Sequence, residues 1–138
     1  MRRLLLLLTM WALLAQTPAS ADIAVIVNRD SGITHVSRED LVNVFMGRYS
    51  KLPNGDSVMP IDLEPLKSRF YRALIDQNLE TIHSYWARLV FSGEAKPPEQ
   101  VSTNSELLSL VGRKREALAY IDSGYVTDSV RVVLTLGE

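Results

Sequence analysis

The run "DIAVIVN", residues Asp22 to Asn28, constrains the fold more than any other part of the chain. Nearly every residue in it is apolar or β-branched, without the polar alternation of a half-exposed strand. Such a run predicts a strand that is covered on both faces, as in sheets flanked by helices on two sides. We therefore expect an α/β domain with this strand inside it.

The rest of the chain alternates between strand and helix patterns. Three further apolar runs predict strands, and four amphipathic segments predict helices. The strands are Val58–Leu63, Ala117–Ile121 and Val130–Leu136, and the helices are 37–47, 65–75, 79–91 and 102–116. This arrangement predicts a three-layer α/β domain with four strands and four helices.

Local signals place several helix ends. Ser37 precedes Asp40 by three residues, which is close to a capping box, and Gly47 suits a left-handed residue after the helix. Pro65 suits a first helical position, where its missing N–H is not needed. Ser102 or Thr103 is expected to cap the last helix.

The first 21 residues have the layout of a secretory signal peptide. Arg2 and Arg3 precede the apolar run Leu4–Leu14, and Ala19 and Ala21 stand where a signal peptidase reads small residues. The run is shorter than the roughly 20 residues that cross a bilayer. We expect a signal peptide over 1–21, a domain over 22–138 with no stable membrane span after cleavage, and a periplasmic location, with secretion left open.

Composition and motifs argue against several functions. The chain has no cysteine and a formal charge of −1, so we expect no disulfide framework, no thiol nucleophile and no nucleic-acid partner. His35 and His83 are 48 residues apart, outside any metal-binding spacing. Because the sequence contains no catalytic motif, we expect no enzymatic activity, no metal site and no cofactor.

Two residue clusters have alternative interpretations. Arg113, Lys114 and Arg115 at the end of a predicted helix complement its dipole, or else form a docking patch for an acidic partner. The aromatic residues recur at helical spacing, which favours the core over ligand stacking. They are Phe70, Tyr71, Tyr85, Trp86 and Phe91.

Taken in order, five segments resemble the phosphate-binding-protein-like family, relatives of the substrate-binding components of phosphate ABC transporters. They are "THVSREDLVNVFMGRY", "VMPIDL", "SRFYRAL", "YWARLVFSG" and "ALAYID". The resemblance implies a type II periplasmic-binding-protein-like fold, with a mixed sheet flanked by helices. It covers one lobe only, whereas the receptors of this family close two lobes on their ligand.

The anion-binding cradle of the family is replaced in this chain. Where the phosphate receptors have Ser-Gly-Thr, alignment on Phe70 places Glu64, Pro65 and Leu66, with Lys67 at the family's arginine. A carboxylate, a missing N–H and a missing hydroxyl each disfavour an anion. Glu116 and Ala119 also replace glycines of the family's closing strand.

The resemblance implies two alternative functions. The first is a non-enzymatic accessory or interaction module with a periplasmic or membrane protein partner. The second is weak binding of inorganic phosphate or another oxyanion, as part of a transporter or sensor. In that case the expected ligand-binding residues are Asn28, Lys67, Ser68 and Arg69.

Overall fold

The computed structural model describes residues 22–137, so the signal peptide predicted for residues 1–21 lies outside the described part. The strands are β1 (Ile23–Asn28), β2 (Met59–Leu63), β3 (Glu99–Val101), β4 (Ala117–Asp122) and β5 (Val130–Leu136). The helices are α1 (Arg38–Phe45), α2 (Lys67–Ile75), α3 (Leu79–Ser92) and α4 (Asn104–Arg113). Single 3-10 turns occupy Glu64–Leu66 and Ser123–Tyr125.

The strands form one mixed sheet in the order β3-β2-β4-β1-β5. β2 runs parallel to β3 and β4, whereas β1 runs antiparallel to both β4 and β5. The prediction of four strands was wrong, because β3 forms a fifth. This strand has three residues and only Val101 of them is buried, so it has too little apolar pattern to be found from the sequence.

Helices cover both faces of the sheet, which confirms the three-layer α/β prediction. All six residues of β1 are buried. α2 and α3 connect β2 to β3, and α4 connects β3 to β4 in the opposite direction across the sheet. Because such crossovers are right-handed, the two connections lie on opposite faces.

An aromatic cluster joins the first two helices to the sheet. The Phe70 ring lies flat on Tyr120, with centroids 3.6 Å apart, and meets Phe45 edge-on at 4.9 Å. All three side chains are fully buried. The predicted core role of Phe70, Tyr71 and Trp86 is thereby confirmed.

The core assignment of Phe91 was wrong, because its side chain is 96% exposed. On α3 the buried Ile82 and Trp86 define the inward face. Phe91 follows Ile82 by nine residues, which at about 100° per residue places it on the opposite side of the helix. The neighbouring Val90 is also 53% exposed.

The helix ends follow most of the local signals. Ser37 Oγ accepts from the Asp40 N–H at 3.1 Å, and Thr103 Oγ1 accepts from the Glu106 N–H at 3.1 Å. α2 begins at Lys67, after the 3-10 turn that contains Pro65. α4 ends at Arg113, so the rest of the basic trio follows the helix.

Gly47 has the predicted left-handed conformation, with φ +74°. A β-carbon at this position would lie 2.6 Å from Cη2 of Trp86. The turn after α1 therefore packs its backbone directly on the Trp86 ring of α3, which only glycine permits. Within residues 22–137, every helix is too short or too polar to cross a membrane.

Candidate functional site

The connections after β2 and β3 leave the sheet toward opposite faces, which creates a crevice between their first turns. In open α/β sheets, ligands bind at such a point, outside the carboxyl ends of the strands. We call the residues 64–67 after β2 and 102–106 after β3 the switch-point crevice. A small anion would be expected there, between two helix starts.

The chain's own carboxylates occupy this crevice. The Ser102 hydroxyl donates to Glu64 Oε2 at 3.3 Å, and the Ser102 N–H points to Glu106 Oε2 at 3.5 Å. Glu64 opens the turn before α2, and Glu106 lies in the first turn of α4. Both carboxylates therefore lie against Ser102, just before the start of α4, where an external anion would otherwise be stabilised.

A second cluster is built around the carboxylate of Asp62, on β2. Asp62 is 1% exposed, and its Oδ1 accepts from the hydroxyls of Tyr71 at 3.0 Å and Tyr120 at 2.9 Å. Its Oδ2 accepts from Gln100 Nε2 at 2.9 Å and lies 3.7 Å from Lys67 Nζ. Four donor groups from three elements, α2, β3 and β4, therefore converge on one buried carboxylate, which satisfies its charge.

Sequence reasoning missed this cluster, although one signal was present. Asp62 stands between Ile61 and Leu63 in a strand that is otherwise apolar. A charged residue at such a position has to be paired when the strand is buried. Its partners Tyr71, Gln100 and Tyr120 are 9 to 58 residues away along the chain, so no local pattern identifies them.

The two hydroxyl donors are held in the neutral form. Burial is the main reason that the pKa of Tyr71 and the pKa of Tyr120 are raised well above their ordinary value. The Asp62 carboxylate raises both pKa values further, because it repels a phenolate and accepts a hydrogen bond from the phenol.

Alkaline pH should therefore destabilise the fold. The unfolded chain releases these two protons at about pH 10, whereas the folded chain retains them until the pH reaches their raised pKa. These two tyrosines should contribute no pH dependence below about pH 10, and above it stability should fall by about 1.4 kcal/mol per pH unit for each tyrosine. Urea unfolding at several pH values above and below this point measures the slope, and Tyr120→Phe should halve it. An equal slope in that variant would contradict the assignment.

Lys67, Ser68 and Arg69, three of the predicted ligand-binding residues, form the first turn of α2. Lys67 Nζ faces Asp62 and donates to Gln100 Oε1 at 3.4 Å, and Arg69 Nη1 lies 3.7 Å from Asp122 Oδ2. Ser68 is exposed on the same turn. Both cations already face carboxylates of the chain.

Asn28 lies at the opposite end of the strands from the switch-point crevice. β1 is antiparallel to β4, so the end of β1 lies beside the start of β4, away from the start of α2. The Asn28 amide donates to the carbonyls of Val111 at 2.9 Å and Gly112 at 3.2 Å, and its Oδ1 accepts from the Asp30 N–H at 2.8 Å. The side chain ties β1 to the end of α4.

The side chains around the switch-point crevice carry a net negative charge. The contacts described around the crevice involve four acidic and two basic side chains. The acids are Asp62, Glu64, Glu106 and Asp122, and the bases are Lys67 and Arg69. Leu66, which stands at the third cradle position, is buried in the core. An anion entering here would meet net negative charge and few free donors.

Comparison with known proteins places this geometry in a wider fold group. No protein-family model matches the sequence, and no curated protein sequence matches it. Solved structures do match. A putative phosphate ABC transporter substrate-binding protein with bound phosphate from Clostridium perfringens aligns with a TM-score of 0.64 and 16% identity, over 82% of this chain and 44% of that chain.

Two further structures agree. An ABC-type phosphate transport receptor from Vibrio cholerae has a TM-score of 0.56 and 19% identity, over 83% of this chain and 47% of its own. A possible phosphate binding protein from Planctomyces limnophilus has a TM-score of 0.59 and 12% identity, over 83% of this chain and 42% of its own. The chain thus spans less than half the length of these structures. Its fold is that of one lobe of the phosphate-binding proteins, as its sequence motifs predicted.

Proposed function

We propose that this protein is an exported, non-enzymatic single-lobe module that works in the periplasm by binding a protein partner. The observation that carries this proposal is the occupation of the switch-point crevice by Glu64 and Glu106. A receptor for a free anion needs unoccupied donors at this place. Here Ser102, whose hydroxyl and N–H could serve an anion, is directed to carboxylates of the chain.

The single lobe supports the same conclusion. Tight binding of a small ion requires a dry surround that satisfies its hydrogen bonds on all sides. One lobe offers one wall of such a site, and the similar solved structures are about twice as long as this chain.

A second candidate function is weak binding of phosphate or a related oxyanion. The observation that favours it is the grouping of Lys67, Ser68 and Arg69 on the first turn of α2, where Ser68 is exposed. A partner chain would supply the missing wall in this case, and the cations would exchange Asp62 and Asp122 for the ligand.

Thermal unfolding in phosphate separates the two candidates. A ligand present at 100 times its dissociation constant stabilises the folded state by about 2.7 kcal/mol, which raises the melting temperature by several degrees. We expect no such rise with millimolar phosphate or sulfate, compared with chloride at matched ionic strength. A rise that disappears in Arg69→Gln would contradict the proposal and support the second candidate.

A variant with a rebuilt cradle provides the positive control. Glu64→Ser together with Pro65→Gly removes the carboxylate and returns an N–H to the first turn. This variant should acquire a phosphate-dependent rise in melting temperature that the natural chain lacks. If the natural chain and the variant respond equally, the carboxylate of Glu64 does not decide anion binding.

A further inference from the structure

A groove runs between the turn after α1 and the carboxyl-terminal part of α3. It consists of two adjoining clefts, of about 580 Å³ and about 340 Å³, which share the residues 47–48 and 94–95 as walls. The first cleft extends along α3 to Arg88, and the second extends past Lys96 to Pro60 on β2. We call this surface the basic groove. Its charged side chains are Arg48, Arg88, Glu94 and Lys96.

Core contacts fix the walls of the basic groove. The Tyr85 hydroxyl on α3 donates to the carbonyl of Met46, at the end of α1. A β-carbon at Gly47 would lie 2.6 Å from Cη2 of Trp86 and 3.2 Å from Cβ of Ala95. The turn after α1, the helix α3 and the segment after α3 are therefore packed directly on one another. A groove with fixed walls loses little conformational entropy when an occupant binds.

The groove is positively charged. Arg48 lines both clefts, Arg88 lines the first and Lys96 lines the second, so three positive charges and the single negative charge of Glu94 leave a net charge of +2. Within residues 22–137, Arg88 and Lys96 form no salt bridge, and Arg48 donates to the neutral amide of Asn43 at 3.2 Å. These cations are therefore available to an outside anion.

The basic trio at the end of α4 is a weaker candidate for the same role. Arg113 Nε donates to the Ser109 carbonyl of its own helix at 3.3 Å. Arg115 lines a smaller cleft, of about 190 Å³, together with the acidic residues Asp56 and Glu116. The whole chain has a formal charge of −1, so attraction of an acidic partner requires a local excess of cations. The basic groove provides this excess.

The positions of the cations favour an extended anion over a small one. Arg88 and Lys96 line different clefts, so a single small ion in either cleft meets at most two of the three cations. The three cations are exposed, and each exposed ion pair is individually weak because water and salt screen it. A polypeptide segment with several carboxylates can meet all three at once, and its linked contacts reinforce one another.

We propose that the basic groove binds an acidic, extended segment of a partner polypeptide. Carboxylates of the segment pair with Arg88, Arg48 and Lys96 along the groove, and the two arginines receive them through parallel hydrogen bonds. Glu94 opposes this binding and limits its strength. The inference rests on the proposed partner-binding function and specifies the surface and the chemistry of the partner.

NMR of the backbone amides of the full chain tests this proposal. The probe is acetyl-Glu-Ala-Glu-Ala-Glu-amide, which has one carboxylate for each cation, and acetyl-Gln-Ala-Gln-Ala-Gln-amide is the neutral control. At low ionic strength we expect the acidic peptide alone to shift the amide signals of Gly47, Arg48 and Ala95 in a saturable manner. Added salt should weaken the binding, because exposed charges are screened.

Charge variants locate the contact. Arg88→Glu should weaken peptide binding by about ten-fold, because an exposed attraction is replaced by a repulsion of similar size. Glu94→Gln should strengthen binding by about three-fold, because it removes a repulsion. Lys114→Glu is the matched control, since it makes the same change in net charge within the basic trio, and it should alter binding by less than about two-fold. All three positions are exposed, and the NMR spectrum itself shows that the variants are folded.

Four results would overturn the inference. They are the absence of a saturable shift, equal shifts with the two peptides, equal weakening by Arg88→Glu and Lys114→Glu, and a phosphate titration that shifts the groove signals as strongly as the acidic peptide does. The last result would make the groove a site for a small anion.

Failure of this inference is distinguishable from failure of the proposed function. A phosphate-dependent rise in melting temperature that requires Arg69 contradicts the proposed function, whatever the peptides do at the basic groove. If neither phosphate nor the acidic peptide binds, partner binding remains the proposal and only its assignment to the basic groove is rejected.

Discussion

Replacing Phe70 by alanine should lower the free energy of unfolding by about 3–5 kcal/mol, the usual cost of removing a buried phenylalanine ring. Phe70 is fully buried and stacks on Tyr120 at 3.6 Å, while Phe45 and Tyr71 meet it edge-on at 4.9 and 5.0 Å. Alanine would leave a cavity at the junction of two helices and the sheet, where fixed neighbours limit its collapse. Urea unfolding followed by circular dichroism measures the loss.

Phe91→Ala is the matched control for this substitution. The same side chain is removed, but from a position that is 96% exposed. Its effect on stability should stay within about 0.5 kcal/mol, as for most surface substitutions. If the two variants lost equal stability, the aromatic cluster would not be the centre of the core.

Replacing Asp62 by alanine should cost a similar amount, about 3–5 kcal/mol, for a different reason. The substitution leaves the buried hydroxyls of Tyr71 and Tyr120 without their acceptor and Lys67 without its counter-charge. Unpaired buried donors lose their hydration without a replacement, and the ammonium of Lys67 is only slightly exposed. Denaturant unfolding at neutral pH gives the magnitude.

Two further variants assign this cost to the network. Asp30→Ala removes an exposed carboxylate, near the end of β1, and should change stability by less than about 0.5 kcal/mol. The double variant Asp62→Ala with Lys67→Met should be more stable than the sum of the two single losses implies, because neither charge is then left alone. Strict additivity would show that Asp62 and Lys67 do not interact.

The elements with long apolar or amphipathic patterns were predictable from the sequence. The two-sided burial of β1 was predictable because its residues 23–27 are all apolar. Ser37 and Thr103 cap helices through local contacts. Local chemistry decides these features, so a local pattern is enough to predict them. The resemblance to phosphate-binding proteins used the order of such elements and was confirmed by the fold.

The candidate site was less predictable because it depends on contacts between distant segments. Lys67 and Arg69 were expected to be available for an anion, yet Asp62 and Asp122 face them from neighbouring strands. Glu64 was recognised as unfavourable for phosphate, but its contact with Ser102 bridges 38 residues. Phe91 was predicted to lie in the core because the aromatic residues recur at helical spacing, but Ile82 and Trp86 define a buried face of α3 that excludes it.

The strand order has a consequence for how the chain acquires its structure. The fully buried strand β1 comes first in the described chain, yet both of its neighbours, β4 and β5, come last. Val25, for example, pairs with Tyr120 and with Leu134. Long-range pairings of this kind slow folding, because a large loop has to close before they form. During synthesis, β1 therefore remains without its partner strands until β4 and β5 have been made, and the sheet cannot be completed before the last described strand is available.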